Sequence, residues 1–114
     1  MIKILTNEDG KKVKIDTDED VCLYKSPVNP PNTGTEYTRG RDLYVHEAQS
    51  GNAYFYVHNW SMWEREEDHL FLVSREEAKN LLIQKAGQIG WEELGEEEIE
   101  RAEQYFPGIF EENA

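Results

Sequence analysis

Residues 41–63 read RDLYVHEAQSGNAYFYVHNWSMW and contain the strongest structural signal in the chain. Two runs rich in β-branched and aromatic residues flank the segment Gln49-Ser50-Gly51-Asn52, whose composition is typical of a turn. A three-residue loop at 49–51 places Gly51 in the left-handed conformation that ends a type I turn with a bulge. The segment is therefore predicted to form a β-hairpin.

The loop length fixes which side chains share a face of this hairpin. Pairing Ala48 with Asn52 places aliphatic and phenyl side chains on one face: Leu43, Val45, Phe55 and Val57. The other face then carries the polar aromatic residues, the histidines and one methionine: Tyr44, His46, Tyr54, Tyr56, His58, Trp60 and Met62. A two-residue loop shifts the register by one position and mixes both sets. The clean segregation favours the three-residue loop.

Further strand patterns lie on both sides of the central hairpin, at residues 2–6, 12–16, 21–25 and 69–73. The first two predict another hairpin. A four-residue turn at 7–10 pairs Ile4 with Val13 and Ile2 with Ile15, which gathers four aliphatic side chains on one face. The apolar run that ends at Val73 is predicted to pair with the second strand of the central hairpin.

Helical signals begin after the last strand. Ser74 followed by Glu77 forms a capping box, and the first helix is predicted to end at Gly87 or Gly90. A second helix is predicted to begin after Gly95 and to run to Phe106. Residues 109–110 are then expected to fold back onto the core.

This order of elements predicts a single α+β domain over residues 1–114, β-rich in 1–73 and helical in 74–106, with a tail at 107–114. A mainly antiparallel sheet of five to six strands is expected, with two C-terminal helices and the first helix packed on the sheet. The predicted core consists of Leu43, Val45, Phe55, Val57, Phe71, Leu81 and Leu82.

Charge is distributed unevenly along the chain, whose formal net charge is −12. Residues 92–114 hold nine Glu and one Arg, which gives −8, whereas residues 1–63 carry only −2. Such a surface repels nucleic acid phosphates and attracts basic partners. The glutamates that form the predicted acidic interface are Glu92, Glu93, Glu96, Glu97, Glu98, Glu100 and Glu103.

The function that the sequence favours is a small non-enzymatic interaction or regulatory protein. It is expected to bind a basic protein through the acidic helix and exposed aromatic residues, and one specific form of this hypothesis is mimicry of a nucleic acid backbone. The aromatic binding residues in this hypothesis are Tyr44, His46, Tyr54, Tyr56, His58, Trp60 and Trp63. Tyr and Trp are enriched among residues that dominate interface energies.

Two other readings of the aromatic face follow from the same residues. It could form a small-ligand or weakly enzymatic site, with His58 as acid–base and Tyr56 and Trp60 as walls. The structural alternative is that one or both helices cover this face, which makes its aromatic residues part of the core.

No motif predicts a catalytic residue, a metal site or a cofactor. The acidic segment 16–20 resembles the start of a calcium loop, but Val21 and Pro27 stand where that loop requires Gly and Glu. Cys22 lies in an apolar run, which is typical of an inert small hydrophobe. The single cysteine, the lack of a leader-like N-terminus and the lack of a long apolar run predict a cytoplasmic protein that does not enter a membrane.

Overall fold

A computed structural model describes residues 1–26, 39–61, 67–87 and 94–111. It shows a small α+β domain in which strands precede helices, as predicted. The strands are β1 (Ile2–Thr6), β2 (Lys12–Asp16), β3 (Val21–Tyr24), β4 (Arg39–Glu47), β5 (Ala53–Ser61) and β6 (His69–Val73). The helices are α1 (Arg75–Ala86) and α2 (Glu96–Tyr105).

The strands form two antiparallel sheets, and the prediction of a single five- to six-stranded sheet is wrong in this respect. Strands β3-β4-β5-β6 form a four-stranded sheet, and β1 and β2 form a separate pair. The pair packs against a face of the larger sheet through Leu5, Val13 and Ile15. Tyr44 and Tyr56 lie on this face of the larger sheet. Packing the pair on the face buries more apolar area than adding it to a sheet edge would, which accounts for this arrangement.

The register of the central hairpin is confirmed. Leu43 pairs with Val57 and Val45 pairs with Phe55. The N–H of Ala48 donates to the carbonyl of Asn52 at 2.8 Å, and Gly51 has a φ of 91°. The three-residue loop therefore segregates the two sets of side chains onto opposite faces, as the sequence predicts. Strand β6 pairs with β5, which confirms the prediction for the apolar run at 69–73.

The register predicted for the first hairpin is wrong by one residue. Leu5 pairs with Val13 and Ile4 pairs with Lys14. The reason is the loop, because the N–H of Asn7 donates to the carbonyl of Lys11 at 2.9 Å and Gly10 has a φ of 80°. This is the same three-residue loop as in the central hairpin, rather than the four-residue turn that was predicted.

The shifted register changes which side chains of the first hairpin are exposed. Ile15 is fully buried and Val13 is 5% exposed, whereas Ile2 and Ile4 on the outer face are 61% and 63% exposed. A shift of one residue exchanges the faces of a strand, so the two isoleucines of β1 leave the predicted apolar face.

The helices cover the aliphatic face of the four-stranded sheet. Helix α1 begins at the N-cap Ser74, whose hydroxyl accepts the N–H of Glu77, and ends at Gly87. Its Leu82 is fully buried against the sheet, together with Leu43 and Val45. These caps and this docking face were predicted. The predicted core residues Phe55 and Val57 are also buried, at 3% and 2% exposure.

Two predicted core residues are less buried than expected. Leu81 is half-buried beside the core, and Phe71 is 39% exposed, so its prediction as a buried residue is wrong. Phe71 lies on β6, which is the edge strand of the sheet. An edge strand has a neighbouring strand on one side only. The helical layer therefore leaves part of the Phe71 side chain exposed at this edge of the sheet.

Helix α2 docks through Ala102, which is fully buried, and is followed by the buried Phe106. Beyond Phe106, Ile109 and Phe110 pack against the same core. The chain therefore folds back after the helix, as expected, and Gly108 allows the reversal with a φ of 76°.

Gly40→Ala should destabilise the protein by about 1–3 kcal/mol, because the side chain of Trp60 lies across this glycine. A methyl group at Gly40 would lie 2.2 Å from Cζ2 of Trp60. The indole would have to move, and its N–H would lose the 3.1 Å bond to Asp42. Chemical denaturation measures the change. Gly87→Ala is the matched control, since its methyl group would lie 3.7 Å from the nearest atom, and an equal loss in both variants would contradict the prediction.

Candidate functional site

The centre of the aromatic face is buried, and the first hairpin rather than either helix covers it. Tyr56 is fully buried and Tyr44 is 7% exposed. Their rings stack with centroids 5.2 Å apart and an angle of 9° between the planes. The expectation that helices cover this face is therefore corrected: α1 and α2 pack on the opposite face, and β1 and β2 occupy this one.

A single carboxylate, Asp20, joins three groups beside this stack. Its Oδ2 accepts the hydroxyl of Tyr56 at 2.7 Å and the N–H of Asp16 at 2.8 Å. Its Oδ1 lies 2.8 Å from Nδ1 of His46. The side chain of Asp20 is 8% exposed and that of His46 is 24% exposed. The acidic segment 16–20 is thus a turn, as expected, and its last carboxylate anchors the aromatic face.

The far end of the aromatic face is held by two further carboxylates. Nε2 of His58 lies 2.9 Å from Oδ2 of Asp68. The indole N–H of Trp60 donates to Oδ1 of Asp42 at 3.1 Å, and the N–H of Ser26 donates to the same oxygen at 2.8 Å. Four of the polar side chains predicted to bind a ligand, His46, Tyr56, His58 and Trp60, therefore each contact a carboxylate of the protein itself.

Burial raises the pKa of the tyrosines on this face. The pKa of Tyr44 rises to about 12, mainly because burial disfavours the phenolate. Burial, followed by the hydrogen bond to Asp20, raises the pKa of Tyr56 well above its usual value. Both phenols consequently stay neutral at physiological pH, and Tyr56 stays a hydrogen-bond donor to the carboxylate.

Cys22 lies on β3 opposite Tyr44 and is partly buried. Burial, followed by the charge of Asp42, raises the pKa of its thiol to about 11. Because the thiolate is the nucleophilic form, this environment favours an unreactive thiol.

Four exposed carboxylates lie along the outer side of α2, and we refer to them as the acidic stripe: Glu96, Glu97, Glu100 and Glu103. Residues three and four apart are neighbours on a helix, so these side chains share one surface. Glu98, which was predicted to belong to the same interface, lies apart from it. Its carboxylate accepts the N–H of Gly95 at 3.0 Å and caps the helix.

Two arginines of the helical layer, Arg101 on α2 and Arg75 on α1, bind backbone carbonyls rather than carboxylates of the acidic stripe. Nη1 of Arg101 donates to the carbonyl of Cys22 at 2.7 Å. Arg75 donates to the carbonyl of Tyr105, and its guanidinium lies 4.5 Å from the ring centroid of Phe106. Among the described residues, no ion pair involves a carboxylate of the stripe. Its negative charge is therefore available to solvent and to a partner.

A cavity of about 650 Å³ lies between the end of β1 and the edge strand β6, and we refer to it as the edge cleft. Its apolar lining includes Leu5, Tyr54, Leu70 and Leu72. Neither His46 nor His58 belongs to this lining, so the cavity does not serve the predicted histidine site. This cleft could not be predicted from local sequence patterns, because it depends on how the two sheets pack.

The remaining predicted site residues are separated by the fold. Tyr54 is half-buried in the edge cleft, whereas His46, His58 and Trp60 are half-buried on either side of the tyrosine stack. Trp63, Glu92 and Glu93 lie outside the described residues. The structure adds Asp20, Asp42 and Asp68 as hydrogen-bond partners of the aromatic face. No sequence pattern indicated that these three aspartates lie close to the aromatic and histidine side chains.

Two further observations concern metals and membranes. Within the described ranges, no group of three or more histidine, cysteine, aspartate or glutamate side chains is arranged to hold a metal ion. Neither of the described helices has the length and apolar character needed to cross a bilayer.

No protein-family model, curated protein or solved structure matches the chain.

Proposed function

We propose that the protein is a small non-enzymatic interaction protein that binds a basic protein partner through the acidic stripe of α2. The observation that carries the proposal is that Arg101 and Arg75 donate to backbone carbonyls, while no described ion pair involves a carboxylate of the stripe. If nearby arginines formed ion pairs with the carboxylates of α2, the surface of the helix would carry little net charge. Instead, the four carboxylates of the acidic stripe are exposed on one surface of the helix.

Electrostatics defines what such a surface favours. Clustered carboxylates attract a partner with a complementary basic patch and accelerate encounter. They repel nucleic acid, whose binding depends on Lys and Arg. Mimicry of a nucleic acid backbone is a specific form of this proposal, in which the stripe occupies the basic groove of a DNA- or RNA-binding protein.

The aromatic contribution to the proposed interface is smaller than the sequence suggests. Tyr44 and Tyr56 are buried, and they would reach a partner only if the first hairpin left the sheet. Tyr54 and Trp60 keep partial exposure. The acidic stripe is therefore the principal surface in the proposal.

A small-ligand or weakly enzymatic site on the aromatic face is the second candidate. The contact between His46 and Asp20 supports it, because a carboxylate that orients one ring nitrogen is a common arrangement for general base catalysis. However, Tyr56 is a fully buried partner of the same carboxylate rather than a wall of an open site. The acidic stripe consequently has the stronger support.

Replacing Glu96, Glu100 and Glu103 with Gln should reduce capture of the partner by about three- to 150-fold, as expected from the loss of three exposed ion pairs of about 0.2–1 kcal/mol each. Affinity capture from native lysate at physiological ionic strength, with quantitative mass spectrometry, measures the change. Higher salt should weaken the wild-type complex in the same direction, because screening acts on the same charges.

The matched control replaces Glu19, Glu67 and Glu76 with Gln. These side chains are exposed and lie outside α2, and both variants change the formal net charge from −12 to −9. The control should retain the partner. Equal recovery by both variants, or no partner recovered by the wild type, would contradict the proposal.

A further inference from the structure

The edge cleft follows the free edge of β6 rather than one face of the sheet. Consecutive residues of a strand point to opposite faces. Nevertheless Leu70, Phe71, Leu72 and Val73 all line the cavity. Because β6 is the edge strand, a cavity lined by four of its consecutive residues lies along that edge, and Tyr54 and Phe55 of β5 extend the lining around the end of β6. The cleft therefore gives access to the backbone of β6 on the side away from β5.

The sequence of β6 lacks three common protections against pairing at a sheet edge. In the described part of the chain, β6 pairs with β5 alone and ends the four-stranded sheet. Edge strands are commonly protected by Lys, Pro or bulges. The sequence of β6 is HLFLV, which contains none of these, and its pairing with β5 shows no register shift.

The charged groups around the cleft are mainly acidic. Glu8, Asp9, Glu77 and Arg75 line it, which places three carboxylates against one guanidinium. That guanidinium is bound to the carbonyl of Tyr105 and lies over Phe106. The three carboxylate residues are exposed. The cleft therefore combines free backbone groups, apolar side chains and a negative rim.

We propose that the edge cleft binds an extended basic segment of a partner protein, which adds to β6 as a fifth strand of the sheet. Backbone hydrogen bonds would provide the affinity, and alternate side chains would provide the specificity. Apolar residues of the segment would face Leu70 and Leu72, and its Lys or Arg residues would face Glu8 and Asp9. The same negative rim, on a chain of net charge −12, disfavours a second copy as the occupant.

This site is separate from the acidic stripe, and the two proposals can fail independently. The probe is a blocked hexapeptide that alternates valine and lysine, about the length of β6. Titration into the isotope-labelled full chain, followed by NMR, should shift the amides of β6 and of the turn after β1 at millimolar peptide. A peptide with N-methyl groups on alternate amides cannot complete the ladder and should bind at least about tenfold more weakly.

Charge reversal tests the rim. Glu8→Lys with Asp9→Lys should weaken binding of the valine–lysine peptide at least about tenfold. Among the described residues, the side chains of Glu8 and Asp9 form no hydrogen bond, and Asp9 binds Asn7 through its backbone N–H. The charge reversal therefore removes no hydrogen bond of the fold. The control, Glu19→Lys with Glu111→Lys, makes the same charge change at exposed residues outside both the edge cleft and the acidic stripe, and it should leave binding of the peptide unchanged.

Several outcomes would overturn the proposal. These are no shifts at millimolar peptide, shifts confined to α2, equal binding of the N-methylated peptide, or equal binding by the rim variant and the control variant. Shifts of the β6 amides that depend on protein concentration without peptide would identify a second copy as the occupant and would also overturn it. Loss of lysate partners in the variant with Gln at Glu96, Glu100 and Glu103, together with peptide binding to the wild-type cleft, would support both proposals.

Discussion

Leu82→Ala should lower the free energy of unfolding by roughly 2–5 kcal/mol, the usual cost of removing a buried leucine side chain. Leu82 is fully buried where α1 meets the four-stranded sheet. Its neighbours there include Leu43 and Val45, which have no exposed surface. The substitution removes apolar contacts and leaves a cavity that these strand residues cannot fill without moving the sheet. Denaturation in urea, monitored by fluorescence and by far-ultraviolet circular dichroism, measures the loss.

The next residue of the same helix provides the control. Ile83 is 44% exposed. Ile83→Ala removes a side chain of similar size from the same helix, and it replaces a β-branched residue by a better helix former. The expected change is within about 0.5 kcal/mol. A loss below that value for Leu82→Ala, or an equal loss for both variants, would show that α1 docks through another face.

Local signals predicted most of the fold. The loop at 49–51, the N-cap at Ser74 and the helix end at Gly87 each depend on a few neighbouring residues, and the structure confirms all three. Of the predicted capping box, the structure shows the bond from the N–H of Glu77 to the hydroxyl of Ser74. The first hairpin shows the limit of such signals. Its loop Glu8-Asp9-Gly10 has the same form as Gln49-Ser50-Gly51, and applying one rule to both would have given the observed register.

The covering of the aromatic face could not be read from local pattern. The sequence shows two apolar faces on the central hairpin and two helices to cover them. An apolar face was also predicted for the first hairpin, but the predicted register placed Ile2 and Ile4 on it instead of Leu5. Periodicity does not indicate which sheet such a face packs on, so the sequence could not show that this hairpin covers Tyr44 and Tyr56.

The candidate sites show the same division between local and non-local information. The acidic stripe is a helical pattern in nearby residues, so its position was predictable once the helix was. The orientation of Arg101 depends on a contact with Cys22, which is distant in sequence. The edge cleft depends on the separation of two sheets. Sequence periodicity identifies strands but does not determine which of them remains at an edge.

Tyr56→Ala should lower the free energy of unfolding by roughly 3–5 kcal/mol, as for other large aromatic residues in a core. Tyr56 is fully buried, stacks on Tyr44 and donates to Asp20. The substitution removes the ring that the first hairpin covers and leaves the carboxylate without one of its donors. Amide hydrogen exchange should show the loss at Val13 and Ile15, because their strand packs on this ring.

Tyr56→Phe separates the two contributions, because it keeps the ring and removes only the hydroxyl. Hydrogen bonds to charged groups contribute about 1.5–3 kcal/mol, so this variant should lose a smaller amount. Asp20 would keep its contacts with His46 and with the N–H of Asp16. Protection of β1 and β2 should therefore persist in Tyr56→Phe and be lost in Tyr56→Ala. Loss of protection in both would mean that the bond to Asp20, rather than burial of the ring, holds the hairpin on the sheet.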